Sequence, residues 1–418
     1  MTHRTDGSSH STPRSQVHID RKLVALGLFA GAAAGAWASG RVRSAATSQP
    51  TNDSLINWDQ VRMIAINMNR GQALTRTERE RLDSYYRELG QRCVPIVSEY
   101  TKSELPRSLD QTYAFDRVDW INANIDSFRL MFAPLEELNP NRGGNQSVAA
   151  ALWGGLNQKM VSAELGFLLG YLARRVLGQY DLALLGKEPV TEGKLYYVEP
   201  NIRAVEQGLG LPAEEFRMWL ALHETTHAFE FEAHPWVRNH FNHMLERYFE
   251  FLREDVGYLK QGMRGMRTLI ERARANRNGN MNWIEAIMTP DQRALFHEMQ
   301  ATMCMVEGYS NHVMNAVGRT LLPNFDLISK KFELRQQQRN TASRIFARLT
   351  GLDVKLEQYR LGEAFIDDVV QKRGHDTIRR IWDGPENLPR MEEIRDPDAW
   401  LARVIDRSPA AVSSSAGD

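Results

Sequence analysis

Within five positions the chain places two histidines and a glutamate, His223, Glu224 and His227, whose types and spacing suit metal-assisted hydrolysis. Histidines four apart on an α-helix stack on one face, close enough to chelate a single ion. Glu224 is rotated by about 100° from His223. It therefore sits beside such an ion, where it can accept a proton from water and return it to a leaving amine. Neutral imidazoles suit zinc, and three protein ligands leave a fourth position open for water. Bound zinc lowers the pKa of water from about 15.7 toward about 7, which supplies hydroxide at neutral pH. The spacing His-Glu-x-x-His is short and recurs by accident; an apolar helix following a strand makes it more specific. The plain alternative is a pair of core histidines, each satisfied by a carbonyl or carboxylate, beside a solvated glutamate.

The flanking residues supply that setting. Pro212 suits a first helical turn. Phe216, Trp219, Leu220, Leu222 and Phe229 make the helix apolar around much of its circumference, and Pro235 is expected to stop it. Upstream, residues 194–200 carry the clearest strand signal, aromatic and β-branched, with a proline at the end. A third ligand must come from elsewhere. A second helix is predicted over about 290–317, where Glu307 interrupts an apolar stretch containing Met303, Met305 and Val306. A carboxylate there is costly unless paired or bound to metal, so Glu307 is the favoured third ligand. His312 is its rival, and His297 and Glu298 are weaker ones. Asn311, one turn beyond Glu307, is placed to hydrogen-bond the free nitrogen of a ligand histidine. Tyr309, Tyr359 and His312 are candidates to stabilise the oxyanion of an attacked carbonyl; for each, a structural role is the alternative. Cys304 reads as a small buried hydrophobe.

Composition narrows the remaining choices. The formal net charge is zero, so no bulk field draws nucleic acid, and no nucleic-acid partner is expected. The two cysteines, Cys93 and Cys304, form no CxxC pair; a zinc site here must use imidazole and carboxylate. No phosphate-cradling glycine loop or Gly-x-Ser-x-Gly elbow is present. The pattern is mainly α. A short amphipathic helix is predicted over 56–68. A capping box, Thr75 to Glu78, opens a helix running toward Cys93, which Pro95 kinks or ends. Another helix is capped near Asp116. A long apolar helix over 148–177 carries Gly154, Gly155, Gly166 and Gly170 for close approach of a neighbour, and reads as a buried core helix. Residues 260–282 are basic and then Asn/Gly-rich, a solvated excursion between two helices.

The termini differ from this body. Residues 1–22 are a polar leader expected to be disordered. Residues 23–39 are apolar and Ala/Gly-rich, 40–55 a linker, 56–405 one domain and 406–418 a disordered tail. Three readings of 23–39 stand: an uncleaved membrane anchor, a signal peptide cleaved after Ala38, or the leader of a cytosolic protein. The expected location is therefore cytoplasmic or membrane-associated through that tether, with secretion the lesser alternative.

Several runs in order carry a resemblance: ALHETTHAFEFEAHPW at 221–236, LGQYDL at 177–182, YVEPN at 197–201, VEG at 306–308, HVMNAVG at 312–318, GLDVKLEQY at 351–359 and PENLP at 385–389. With these, residues 56–405 resemble the bacterial zincin-like metallopeptidase type 2 proteins (DUF2342), some of which are labelled as associated with coenzyme F420 biosynthesis. The resemblance implies a large helical zincin-like domain with a small β element beside the metal-binding helix. It also implies bound zinc and hydrolysis of a peptide or protein substrate. Carried over, His223 and His227 match the metal ligands, Glu224 the general base and Glu307 the third ligand. The chain departs from the pattern at Tyr309, where histidine is common, and at Asn311, where an acidic residue is common. The other readings are an inactive, metal-stabilised binding protein and an accessory factor in F420 metabolism.

Overall fold

The computed structural model describes residues 54–136, 148–181, 193–260, 288–337 and 352–406. The polar leader, the apolar 23–39 segment, the linker up to residue 53, nearly all of the 260–282 excursion and the tail beyond residue 406 lie outside the described residues. Among those described, no helix is long and apolar enough to cross a membrane.

Helices dominate, and their ends follow local chemistry. Helix α1 (Trp58–Met68) starts where the Asn57 side chain accepts from the Gln60 amide. Helix α2 (Arg76–Thr101) starts where Thr75 accepts from the Glu78 amide. Pro95 lies inside α2 and does not end it, contrary to one of the two sequence expectations for this proline. The helix continues for another turn and more, with buried Cys93 and Val97 flanking the proline; packing on both sides outweighs one lost backbone hydrogen bond. In α3 (Arg117–Glu136), Asp116 accepts from the amides of Val118 and Asp119 at 2.8 and 3.0 Å, the expected cap.

Helix α4 (Val148–Leu172) ends one turn short of the predicted 177. Over residues 158–172, whose side chains are described, it buries one face. Leu165 and Leu169 are buried, whereas Phe167 is 56% exposed. The predicted close approach is present: a Cβ on Gly166 would lie 2.8 Å from Ile64 Cβ, and one on Gly170 3.2 Å from Ala65 Cα. The helices α1, α3 and α4 thus share a smaller core around Val61, Ala65, Ile121 and Ile125.

A three-stranded sheet joins this layer to the rest, in the order β1 (Thr112–Phe115), β3 (Lys194–Val198), β2 (Gly178–Asp181). β1 runs parallel to β3 and β2 antiparallel, with Gly178 opposite Tyr197. Only β3 is evident from the sequence, because the other two strands are four residues long. Pro200 falls in the first turn of α5 (Glu199–Leu209), which follows β3 directly.

The larger core lies beyond the sheet. It is built from α2, α6 (Ala213–Ala228), α7 (Pro235–Lys260), α8 (Pro290–Leu321), α9 (Phe325–Gln337), α10 (Leu352–Arg373) and short C-terminal turns around Trp382 and Trp400. Pro235 does separate two helices, yet it opens α7 rather than leading into a loop. α8 begins on a full capping box, Thr289 with Gln292. α8 and α10 cross almost backbone to backbone: a Cβ on Gly308 would lie 2.5 Å from the Gly362 carbonyl carbon.

Candidate metal centre

Helix α6 carries His223 and His227 one turn apart, their rings 4.7 Å centroid to centroid and nearly perpendicular. Phe216, Trp219 and Leu222 bury other sides of the helix. Opposite them, α8 presents Glu307. Its Oε2 lies 3.8 Å from His223 Nε2 and 3.9 Å from His227 Nε2. Those separations are too long for hydrogen bonds. They resemble the spacing across a shared ion, since two bonds of about 2.1 Å at a tetrahedral angle hold their donor atoms about 3.4 Å apart. The ligand atoms of the three residues lie within 4.8 Å of one another, the one such group among the described residues. Two imidazoles and a carboxylate, turned toward one point without bonding each other, fit a zinc ion in both chemistry and spacing.

Glu224 is 4% exposed. Burial, first, and then the charge of Glu307 raise its pKa, against the opposing charge of His227, and leave it pushed up to about 7. The start of β2 covers this carboxylate: a Cβ on Gly178 would lie 2.6 Å from Glu224 Cδ. Burial and the neighbouring His227 push His223 well below its ordinary value, which keeps it neutral and able to donate a lone pair. His223 Nδ1 is buried without a hydrogen-bond partner among the described residues.

His227 is held differently. Directly after it the chain widens into a π-helical turn, Phe229–Ala233, a feature common at functional sites. In that turn Glu230 Oε2 lies 2.7 Å from His227 Nδ1. Ser310 Oγ, from α8, lies 3.0 Å from the same nitrogen and donates to Glu230 Oε2 at 3.2 Å. Burial alone would lower the His227 pKa, but the carboxylates of Glu230, Glu307 and Glu224 raise it further, to about 9. Burial pushes Glu230 up to about 7, against the pull of His227.

Other sequence candidates lie elsewhere. His312 has both ring nitrogens engaged, Nε2 with the Tyr100 hydroxyl at 2.8 Å and Nδ1 with Asp367 at 2.6 Å, away from the three converging groups. Glu298 pairs with Arg247 at 3.1 Å, and neither it nor His297 joins the group. The orienting role foreseen for Asn311 at a ligand nitrogen is taken at His227 by Glu230 and Ser310. Tyr309 is 3% exposed and packs edge-on against Trp382 at 5.0 Å. The side chain of Tyr359 lies outside the described residues. Burial pushes the Cys304 thiol up to about 12, as suits an inert core residue. Sequence reasoning missed Glu230 and Ser310. A carboxylate three residues after a ligand histidine, inside an aromatic run, was the available signal for the first. Only the packing of α8 on α6 reveals the second.

The model of a family described as zincin-like metallopeptidases matches residues 56–401. A solved structure from Chloroflexus aurantiacus, described as a candidate hydrolase with a novel fold, is 41% identical, with a TM-score of 0.63. The match covers 84% of this chain and 99% of that one. No curated protein matches the chain.

Proposed function

Since the chain belongs to the zincin-like metallopeptidase family, we propose that it hydrolyses peptide or related amide bonds, with zinc held by His223, His227 and Glu307. The observation that carries this reading is the convergence of both Nε2 atoms on one Glu307 oxygen, beside a buried Glu224. Zinc bound there supplies a Lewis acid for the carbonyl and hydroxide at neutral pH. Glu224 does the proton work. Its carboxylate takes the proton of the attacking water and hands it to the departing amine nitrogen. Burial raises the pKa of this carboxylate, which favours its taking up that proton. His223, kept neutral by burial, and Glu307, on a separate helix, fix the position of the reacting centre relative to that carboxylate.

The sheet supports a peptide substrate. Among the described residues β2 is an edge strand of the sheet, and its first residue lies against Glu224. An edge strand offers unpaired backbone donors and acceptors to an extended chain, which here would run beside the base.

Two measurements test the reading. Elemental mass spectrometry of the purified full chain should find about one zinc per molecule, lost in a His223→Ala/His227→Ala variant. A Glu224→Gln variant should keep the zinc and lose hydrolysis of a peptide library by about 10²–10⁴-fold. Hydrolysis retained in Glu224→Gln would overturn the mechanism; absence of zinc after reconstitution would overturn the site.

A further inference from the structure

We infer that Glu230, with Ser310, is the positioning pair for His227, and that it sets how tightly and in what geometry this chain holds a divalent cation. The inference rests on the zinc reading above and adds residues that no sequence motif marked. Three observations carry it.

The hydrogen-bond chemistry fixes the ring. A carboxylate oxygen only accepts, so the 2.7 Å contact with Glu230 puts the proton on His227 Nδ1. The lone pair that a cation would take up is then the one on Nε2, the atom facing Glu307. Ser310 donates to the same Glu230 oxygen and so locks the carboxylate in its turn. This chain of contacts ties every ligand-bearing segment together: Glu230 follows His227 in the π turn, and Ser310 lies one turn after Glu307 on α8.

The burial is otherwise unexplained. Glu230 is 1% exposed, and its Oε1 has no hydrogen-bond partner among the described residues. A buried carboxylate with an unpaired oxygen is costly. A cation on the far side of the imidazole offsets that cost, because a bound ion is the largest charge in such a site. Groups that orient a ligand histidine in this way raise its basicity, and their loss weakens metal binding by about 10–100-fold.

The two histidines also differ. His227 has this support, whereas His223 Nδ1 has no partner among the described residues. His227 is thus the pre-oriented ligand around which the site assembles.

The test uses the full chain and its Glu230→Gln and Ser310→Ala variants, with zinc affinity measured by competition against a chromophoric chelator. Glu230→Gln is expected to bind zinc about 10–100-fold more weakly and release it faster, with Ser310→Ala shifted in the same direction by less. Cobalt substituted for zinc should show altered visible absorption in Glu230→Gln. If wild type itself binds no zinc, the metal reading fails and this inference falls with it. If wild type binds zinc and both variants match its affinity and cobalt spectrum, the inference is overturned while the metal site stands. Should Glu230→Gln not fold, Ser310→Ala decides: unchanged affinity overturns the pair.

Discussion

The absence of a Cβ on Gly178 allows β2 to lie against the Glu224 carboxylate, so the proposed general base is shaped by a residue with no side chain. In Gly178→Ala the new methyl would sit 2.6 Å from Glu224 Cδ, and the carboxylate must shift. Displacements of about 1 Å near reacting groups cost about 10²-fold in rate. We therefore expect Gly178→Ala to lose turnover on that order while its zinc content stays at the wild-type value; an unchanged kcat would show that Glu224 relaxes without consequence. Tyr309 belongs to the same scale. Its ring fills a buried slot against Trp382, and Phe fills that slot as well. Tyr309→Phe is expected to keep kcat within about threefold, whereas removing an oxyanion donor costs about 10²–10³-fold. A fall of that size, measured with a chromogenic peptide, would assign the oxyanion role to Tyr309. His223, Glu224 and His227 were legible because their spacing encodes helical geometry. Glu307 was legible as one of several choices, because a carboxylate among apolar residues needs a partner. Ser310 was not: it lies 83 positions from His227, and only the packing of two helices brings them together.

Helix starts were the most legible elements, because caps are local chemistry: Thr75 and Asp116 each sit at a helix start and accept from the first turn, and Thr289, not singled out in the sequence, does the same. Strands β1 and β2 escaped notice, since four residues give no reliable alternation. β2 depends on register with Tyr196 and Tyr197 rather than on its own sequence. Pro95 shows the limit of a local rule, since tertiary packing carries α2 past it. The element contact that most directly positions Glu307 was also hidden. Gly308 follows Glu307 and meets Gly362 of α10, where a Cβ would strike backbone rather than a movable side chain. Gly362→Ala is expected to destabilise the fold by about 1–3 kcal/mol through forced separation of the two helices. Urea unfolding reads this directly, and a shift below about 0.5 kcal/mol would show that α8 and α10 separate freely. Zinc affinity should fall with it, because moving α8 moves Glu307.

Across the whole molecule, the parts that hold the site are joined through a buried charge network at the end of β3. Glu199, 1% exposed, accepts from Arg217 of α6 at 2.9 and 3.0 Å, from Arg203 of α5 at 2.6 Å and from the Tyr86 hydroxyl of α2 at 2.6 Å. Arg217 also binds Glu206. Neither the sequence spacing nor the motif runs disclose this network, because its members come from three helices. Burial alone would raise the Glu199 pKa; hydrogen bonds from Arg217 and Tyr86 and the charges of Arg217 and Arg203 outweigh it, and the pKa lies below the ordinary carboxylate value. The sign of the pH dependence follows. A carboxylate whose folded pKa is depressed adds stability that is fully present above its unfolded pKa, about 4.3. That stability is lost as pH falls through the folded value. Wild type should therefore lose stability relative to Glu199→Gln as pH drops from about 5 to 3, while the difference between the two stays constant from about pH 5 to 8. Arg217→Met, which leaves Glu199 with only Arg203 and the Tyr86 hydroxyl, should cost about 1.5–3 kcal/mol at pH 7 and flatten the acid dependence. Parallel melting curves of the three proteins across this range decide the matter. A wild-type difference curve that is flat between pH 3 and 5 would mean that Glu199 is not the charge that ties α6, and with it both proposed ligand histidines, to the sheet.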